Sequence, residues 1–135
     1  MDNSSAKSYY LRAIEKIERE YGFAEYMYIQ IRQSKHFMEK YYAEKIELDK
    51  IASAACMSRF HYLRIFQQVY GLTPRQYLKD LRINKAKQLL AAGTSIQKVC
   101  VEVGYDSVTT FSTVFKRGTG LSPKSYQLLN KSNRE

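Results

Sequence analysis

The chain has 135 residues, 44% hydrophobic and 13% aromatic, with two prolines and six glycines; this suits one modest domain or two very small ones sharing a helix, not a disordered chain. The formal net charge of +9 is uneven: residues 1–55 hold nine Lys/Arg and nine Asp/Glu, while residues 56–135 hold thirteen against four. A basic excess confined to one part of a chain points to a polyanion, and with no amphipathic basic helix of the membrane-surface kind it favours nucleic acid over membrane; no segment is long and apolar enough to span a membrane, and no signal-peptide pattern appears.

Few helix breakers and no useful strand-like alternation predict an all-α fold. Residues 1–7 are polar and read as disordered. A helix is expected over 8–21, with Tyr10, Ile14, Ile17 and Tyr21 as its apolar stripe, Glu15, Glu18 and Arg19 outside it, and Gly22 at its end. It has two readings, extra packing on the core or a dimer or partner contact. A second helix is expected over 27–42, with Ile31, Ser34, Phe37, Met38 and Tyr41 inward. A short helix follows over 48–55, with Leu48, Ile51, Ala52 and Ala55 on one face, and only Cys56 and Met57 separate it from the next.

That next helix organises the chain. Tyr62, Ile65, Phe66 and Val69 recur at i, i+3, i+4, i+7, and Phe60, Leu63, Arg64 and Gln67 fall on the opposite side. Ser58 stands as its N-cap and Gly71 at its exit. Two short helices joined by so tight a turn form the plan of a helix-turn-helix, whose second helix enters the major groove of DNA. Thr73 caps a further helix with Pro74 at its first position, running to about 92 and stopping at Gly93. Tyr77, Leu78, Leu81, Ala86, Leu89 and Leu90 give it apolar surface on both sides. At roughly 18 residues it spans about 27 Å, a spacer for major grooves about 34 Å apart. A second pair of helices is expected over 95–103 and 107–117. A last short helix starts at Ser122-Pro123 and fades after Leu129.

The pattern repeats. Gly71-Leu-Thr-Pro-Arg-Gln-Tyr77 returns as Gly120-Leu-Ser-Pro-Lys-Ser-Tyr126 at an offset of 49, and Phe66, Tyr62 and Ser58 match Phe115, Phe111 and Ser107. Upstream of the turn the offset is 48: Ile51, Ala52 and Ala55 match Val99, Cys100 and Val103, so the second copy has one extra residue near Gly104-Tyr-Asp106. The expected organisation is an extension with one helix (1–26), a first helix-turn-helix subdomain (27–71), a linker helix (72–93), a second such subdomain (94–130) and a tail (131–135).

In this frame Phe60, Leu63 and Arg64 are candidates for base contact, Arg64 through a bidentate contact to guanine O6/N7 and the two apolar residues through thymine methyls. Packing on the linker helix is the bland reading of Phe60 and Leu63. Val108, Thr109, Ser112 and Thr113 are the base-contact candidates of the second unit; being short and uncharged, they make it the weaker reader. Phosphate contacts are expected from the capped helix starts at Ser58, Ser107, Thr73 and Ser122, and from Arg59, Gln67, Arg75, Lys116, Arg117 and Lys124. His61 reads as a solvent or phosphate neighbour. Cys56, Cys100 and the two histidines have no ligand-spaced partners; the thiols read as reduced, structural and cytosolic, and neither metal nor cofactor is expected. No nucleophile–base pair appears, and Glu44, Glu47 and Asp49 read as a solvated or helix-capping run, so an enzyme is not expected.

These residues resemble the AraC/XylS family of bacterial transcription regulators. The matching set is Leu48-x2-Ile51-Ala52-x2-Ala55-x-Met57-Ser58, Phe66-x4-Gly71-x2-Pro74-x2-Tyr77-Leu78-x3-Arg82-Ile83-x2-Ala86-x2-Leu89-Leu90 and Val103-Gly104-Tyr105-x5-Phe111-Ser112-x2-Phe115-Lys116-x3-Gly120-x-Ser122-Pro123-x2-Tyr126, over about 29–127. The resemblance implies a bacterial, cytoplasmic DNA-binding regulator, usually an activator that contacts RNA polymerase. The chain has no room for the sensory domain of many relatives and is similar to the small stand-alone members or an excised DNA-binding domain. Cys56 stands where the family commonly has Gly, which implies a differently shaped first turn. Cys100 stands for a usual Ala, Thr113 for a frequent Arg, and Gly118 where a side chain is more common; together they imply weak sequence reading by the second unit.

The expected function is a sequence-specific transcription regulator that binds an asymmetric site on double-stranded DNA as a monomer, because two readers are fused in one chain. The alternative is a protein-interaction module with incidental DNA affinity, using Tyr9, Tyr10, Tyr21, Tyr26, Tyr28, Tyr41 and Tyr42. A steep salt dependence and a base-specific footprint separate the two.

Overall fold

The computed structural model describes residues 12, 19 and 25–134. Of the helix expected over 8–21 only Arg12 and Arg19 are described, both helical and exposed; its stripe and its possible dimer contact lie outside the described residues, as do Tyr9, Tyr10 and Tyr21. Among the described residues there are seven helices and no strand: α1 Glu25–Tyr41, α2 Leu48–Ala54, α3 Arg59–Tyr70, α4 Pro74–Ala91, α5 Ile96–Glu102, α6 Val108–Thr119 and α7 Pro123–Arg134. No helix is long and apolar enough to cross a membrane among them. The chain divides into two units. The first comprises residues up to Lys40 together with Ile46–Gln76; the second comprises Tyr41–Lys45 together with Tyr77 onward. The division falls inside α4, so the helix expected as a separate linker contributes its first turn to one unit and the rest to the other.

In the first unit α1 supports the helix-turn-helix of α2 and α3. Ile31 and Met38 on α1, Ile51, Ala52 and Ala55 at α2, and Tyr62, Ile65 and Phe66 on α3 are all buried. Each fully buried large side chain of this kind contributes roughly 1.5–3 kcal/mol. Tyr62, Phe66 and Tyr70 form an aromatic run along α3, with ring centroids 5.8 and 4.8 Å apart. Two polar contacts tie α1 to α3. The Ser34 hydroxyl donates to Ile31 O at 2.6 Å, so it accepts the Tyr62 hydroxyl at 2.7 Å. The Lys35 ammonium sits 4.9 Å from the centre of the Tyr70 ring. Burial pushes the Tyr62 phenol up to about 12.

Phe37 departs from its expected inward place: it is 44% exposed. It lies about 100° round the helix from Met38, so a stripe centred on Ile31, Ser34 and Met38 leaves it at the edge.

In the second unit Ile83, Ala86 and Leu90 of α4, Val99, Cys100 and Val103 at α5, and Phe111 and Phe115 of α6 form one buried cluster. Leu89, Ile96, Tyr105, Val114 and Tyr126 pack against it. Gln127 on α7 donates its Nε2 to Leu90 O and Thr94 O, at 3.2 and 2.6 Å, satisfying carbonyls where α4 ends. Two helices run further than expected. α6 passes Gly118 and ends at Thr119, whose hydroxyl donates to Phe115 O at 2.8 Å. α7 reaches Arg134 instead of fading after Leu129, because no glycine or proline follows to stop it.

The repeat extends beyond the helix-turn-helix. Ile31, Ser34 and Met38 match Ile83, Ala86 and Leu90 at an offset of 52, so the supporting helix is duplicated too. The offset then falls to 48, because the first unit has four more residues between its supporting helix and its next one.

Candidate nucleic-acid interface

In each unit the second helix of the helix-turn-helix has twelve residues, a capped start and a buried inner face. Ser58 has extended backbone and its hydroxyl accepts from the His61 N–H at 3.3 Å. Ser107 does the same for α6, accepting from the Thr110 N–H at 3.1 Å. Both helices end on a left-handed glycine, Gly71 at φ 78° and Gly120 at φ 85°.

The turns ahead of them share one backbone course. Cys56 takes φ 58° and Gly104 φ 94° at equivalent positions. Met57 N–H bonds Ala52 O at 2.9 Å, as Tyr105 N–H bonds Cys100 O at 3.0 Å. The first turn is therefore not reshaped by its cysteine; Cys56 adopts the left-handed backbone that glycine holds in the second. The extra residue of the second copy is Asp106, ahead of the Ser107 cap. Cys100 is buried, but Cys56 is exposed, which corrects its reading as a structural thiol.

The outward faces differ. On α3, Phe60 is 84% exposed, Arg64 and Gln67 are exposed, and Leu63 is half-buried. The bland reading of Phe60 as packed on the linker helix thus fails, while Leu63 keeps partial cover. At 100° per residue these four share one face. The Arg59 Nε lies 3.9 Å from Asp49 Oδ1, both side chains well exposed, a weak pair. On α6 the same rotation groups Thr109, Ser112, Thr113 and Lys116. Thr109, Thr113 and Lys116 are exposed and Ser112 half-buried. Val108, 40% exposed, lies a further 100° away, at the place Arg59 holds on α3. The Thr113 hydroxyl donates to Thr109 O at 2.9 Å. Its proton is committed within the helix, leaving its methyl and its lone pairs to face outward. Lys116 and Arg117 are exposed in the last turn.

The remaining candidates stand at the next helix starts. Thr73 and Gln76 form a capping box: Thr73 N–H donates to Gln76 Oε1 at 2.9 Å and Gln76 N–H to Thr73 Oγ1 at 3.2 Å. Ser122 caps α7 by accepting from the Ser125 N–H at 3.1 Å. Arg75 and Lys124, one residue inside these helices, are both exposed. The hydroxyl protons of Ser107 and Ser122 go to Thr110 Oγ1 and Ser125 Oγ, each at 2.9 Å. At those two caps, any donation to an anion falls to the backbone N–H groups. Thr110 and Gln68 are also exposed on the two twelve-residue helices α6 and α3; Thr110 lies about 40° from Val114 and Gln68 about 60° from Ile65 round the helix, at the edge of the apolar stripe, so periodicity alone does not mark them as outward.

A family model described as "Helix-turn-helix domain" matches residues 51–128. The MmsAB operon regulatory protein of Pseudomonas aeruginosa is 34% identical over 92 residues, covering 67% of this chain and 30% of that protein. The C-terminal domain of AraT, a response regulator from Geobacillus stearothermophilus, superposes with a TM-score of 0.71 at 27% identity, covering 74% of this chain and 84% of that one. The DNA-binding domain of AdpA, a global transcriptional factor solved in complex with a target DNA, superposes with a TM-score of 0.73 at 25% identity, covering 77% and 95%. The chain spans about a third of the length of the curated relatives it matches.

Proposed function

This chain belongs to the AraC-type helix-turn-helix family of transcriptional regulators, and from that premise we propose that it lays α3 and α6 in successive major grooves of an asymmetric DNA site. The observation that carries this reading is the duplication itself: two capped helices of equal length, each with a buried inner face and a solvent-facing outer one. An α4 of 18 residues, about 27 Å long, suits the spacing of successive grooves. Because both readers lie on one chain, a monomer suffices for the site.

The first unit carries most of the base specificity. Arg64 makes a bidentate contact to guanine, and Phe60 and Leu63 meet thymine methyls. Val108, Thr109, Ser112 and Thr113 touch bases of the second half-site with less discrimination. Ser58, Arg59, Gln67, Thr73, Arg75, Ser107, Lys116, Arg117, Ser122 and Lys124 hold phosphates and fix the register. The protein acts in the bacterial cytoplasm as an activator that contacts RNA polymerase. The interaction-module alternative is not favoured, because the family match covers the stretch holding both recognition helices.

Selection of bound duplexes from a random pool, at two salt concentrations, tests this. The expected product is an asymmetric site with a strong motif and a weaker one about a helical turn (~10 bp) away. Arg64→Ala is expected to cost about 1–3 kcal/mol of discrimination at one position of the strong motif. Equal weakening on every sequence would remove Arg64 from the bases, and a palindrome would replace the monomer by a dimer.

A further inference from the structure

The segment Tyr41–Lys45 precedes α2 in the chain yet groups with the second unit. Two contacts hold it there. Arg82 on α4 donates its Nε to Tyr42 O at 2.7 Å and its Nη2 to Glu44 O at 3.1 Å, and its guanidinium lies 5.3 Å from the centre of the Tyr105 ring. On the other side, a Cβ added to Gly104 would lie 2.6 Å from Ala43 O, so the strap runs directly over the turn between α5 and α6. Beside it opens a cleft of about 410 Å³, lined by Lys45, Arg82, Val101, Tyr105, Asp106 and Thr110 together with the strap and turn backbones. Lys45 is exposed, and no carboxylate among the described residues pairs with it.

The start of the second recognition helix lacks a cation of its own. α3 opens on Arg59; α6 opens on Val108, and its first positive residue is Lys116, two turns later. A duplex phosphate flanking the start of α6 therefore finds no charge on the helix. Lys45 brings one to the cleft that Thr110, in the first turn of α6, also lines. Asp106 in the same lining repels any phosphate, so occupancy of the cleft depends on the rest of a duplex holding the phosphate there. We propose that this cleft is a backbone-phosphate site of the second unit, with Lys45 as its ligand and Arg82 as the positioning residue that holds the strap. It rests on the DNA-binding reading above and adds a contact from outside both helix-turn-helix segments.

The test compares the full chain with Lys45→Met and Lys45→Arg on one selected duplex and one unrelated duplex. Lys45→Met is expected to lower the slope of log K against log salt by about 0.9, with similar weakening on both duplexes. Lys45→Arg is expected to keep the slope. Phosphate ethylation interference should lose one position in Lys45→Met and no other. Arg82→Gln, which frees the strap, should reproduce that loss, and adding Lys45→Met to it should change nothing more. An unchanged slope and interference pattern in Lys45→Met overturns the site. Protection of Lys45 from acylation by inorganic phosphate without DNA overturns the duplex as its occupant. A parent chain that binds no duplex at any salt sinks the DNA-binding reading instead.

Discussion

The two units put the same backbone to use with different interiors. Where the first sets Ser34 against Tyr62, the second has Ala86 and Phe111 at the equivalent places. Both solutions are complete, because the Tyr62 hydroxyl has an acceptor and Phe111 needs none. The turns diverge in the same way: Cys56 and Gly104 share a left-handed backbone, but Cys56 carries an exposed side chain while a Cβ at Gly104 would meet the backbone of Ala43. The outer faces diverge most: α3 shows the long side chains Phe60, Leu63, Arg64 and Gln67, whereas α6 shows short hydroxylated ones until Lys116 in its last turn. A repeat thus conserves caps, turns and the positions of buried side chains while leaving the chemistry at each position free to drift, provided every buried polar group keeps a partner.

The sharpest way to break the comparison is at the turns. Gly104→Ala is expected to destabilise the protein by at least about 2 kcal/mol, since the new Cβ meets backbone and φ is left-handed. Urea denaturation reads this directly. A loss under about 0.5 kcal/mol would mean that the strap does not hold Ala43 over the turn.

Next come the interiors. Phe111→Tyr should cost about 1–3 kcal/mol by burying a phenol with no acceptor, and adding Ala86→Ser should recover much of that by rebuilding the first unit's pair. Conversely, Ser34→Ala with Tyr62→Phe should come close to neutral, while Ser34→Ala alone should not, because it orphans the Tyr62 donor. The same pair shows in alkaline unfolding. The buried Tyr62 stays protonated up to about 12, whereas an unfolded tyrosine ionises near its ordinary value. Its stabilising contribution is full below about pH 10 and is lost as pH rises toward 12. Tyr62→Phe should lack that component of the alkaline loss, and an unchanged profile would remove Tyr62 as its source.

Much of this was legible from local rules. Ser58, Ser107, Thr73 and Ser122 announce helix starts, and Gly71 and Gly120 announce exits, because capping and left-handed turns are decided within four residues. The outward face of α3 followed from its period, and Phe60 lies where that period puts it. What was not legible depends on segments far apart in the chain. The strap is held by Arg82, 40 residues from Tyr42, so nothing near Lys45 marks it as part of the second unit. Phe37 reads inward by type, and only the rotation of α1 about Ser34 and Met38 turns it out. Cys56 was the reverse case: its type suggested a reshaped turn, but the surrounding repeat imposes the glycine backbone on it.

That last case gives the smallest effect and the cleanest sharpening. A non-glycine residue in left-handed backbone carries about 1–2 kcal/mol of strain, and glycine gives back about 0.5–1 kcal/mol through the freedom it loses on folding. Cys56 is exposed, so its side chain adds little packing to the account. Cys56→Gly should therefore stabilise the protein by about 0.5 kcal/mol and leave DNA affinity unchanged, because the turn hydrogen bonds from Cys56 N–H to Ser53 O and from Met57 N–H to Ala52 O are backbone to backbone. Cys56→Ala separates backbone from thiol: it keeps the Cβ and the strain, and should stay with the parent chain. If Cys56→Ala instead moves with Cys56→Gly, the sulfur and not the dihedral angle distinguishes the first turn from the second.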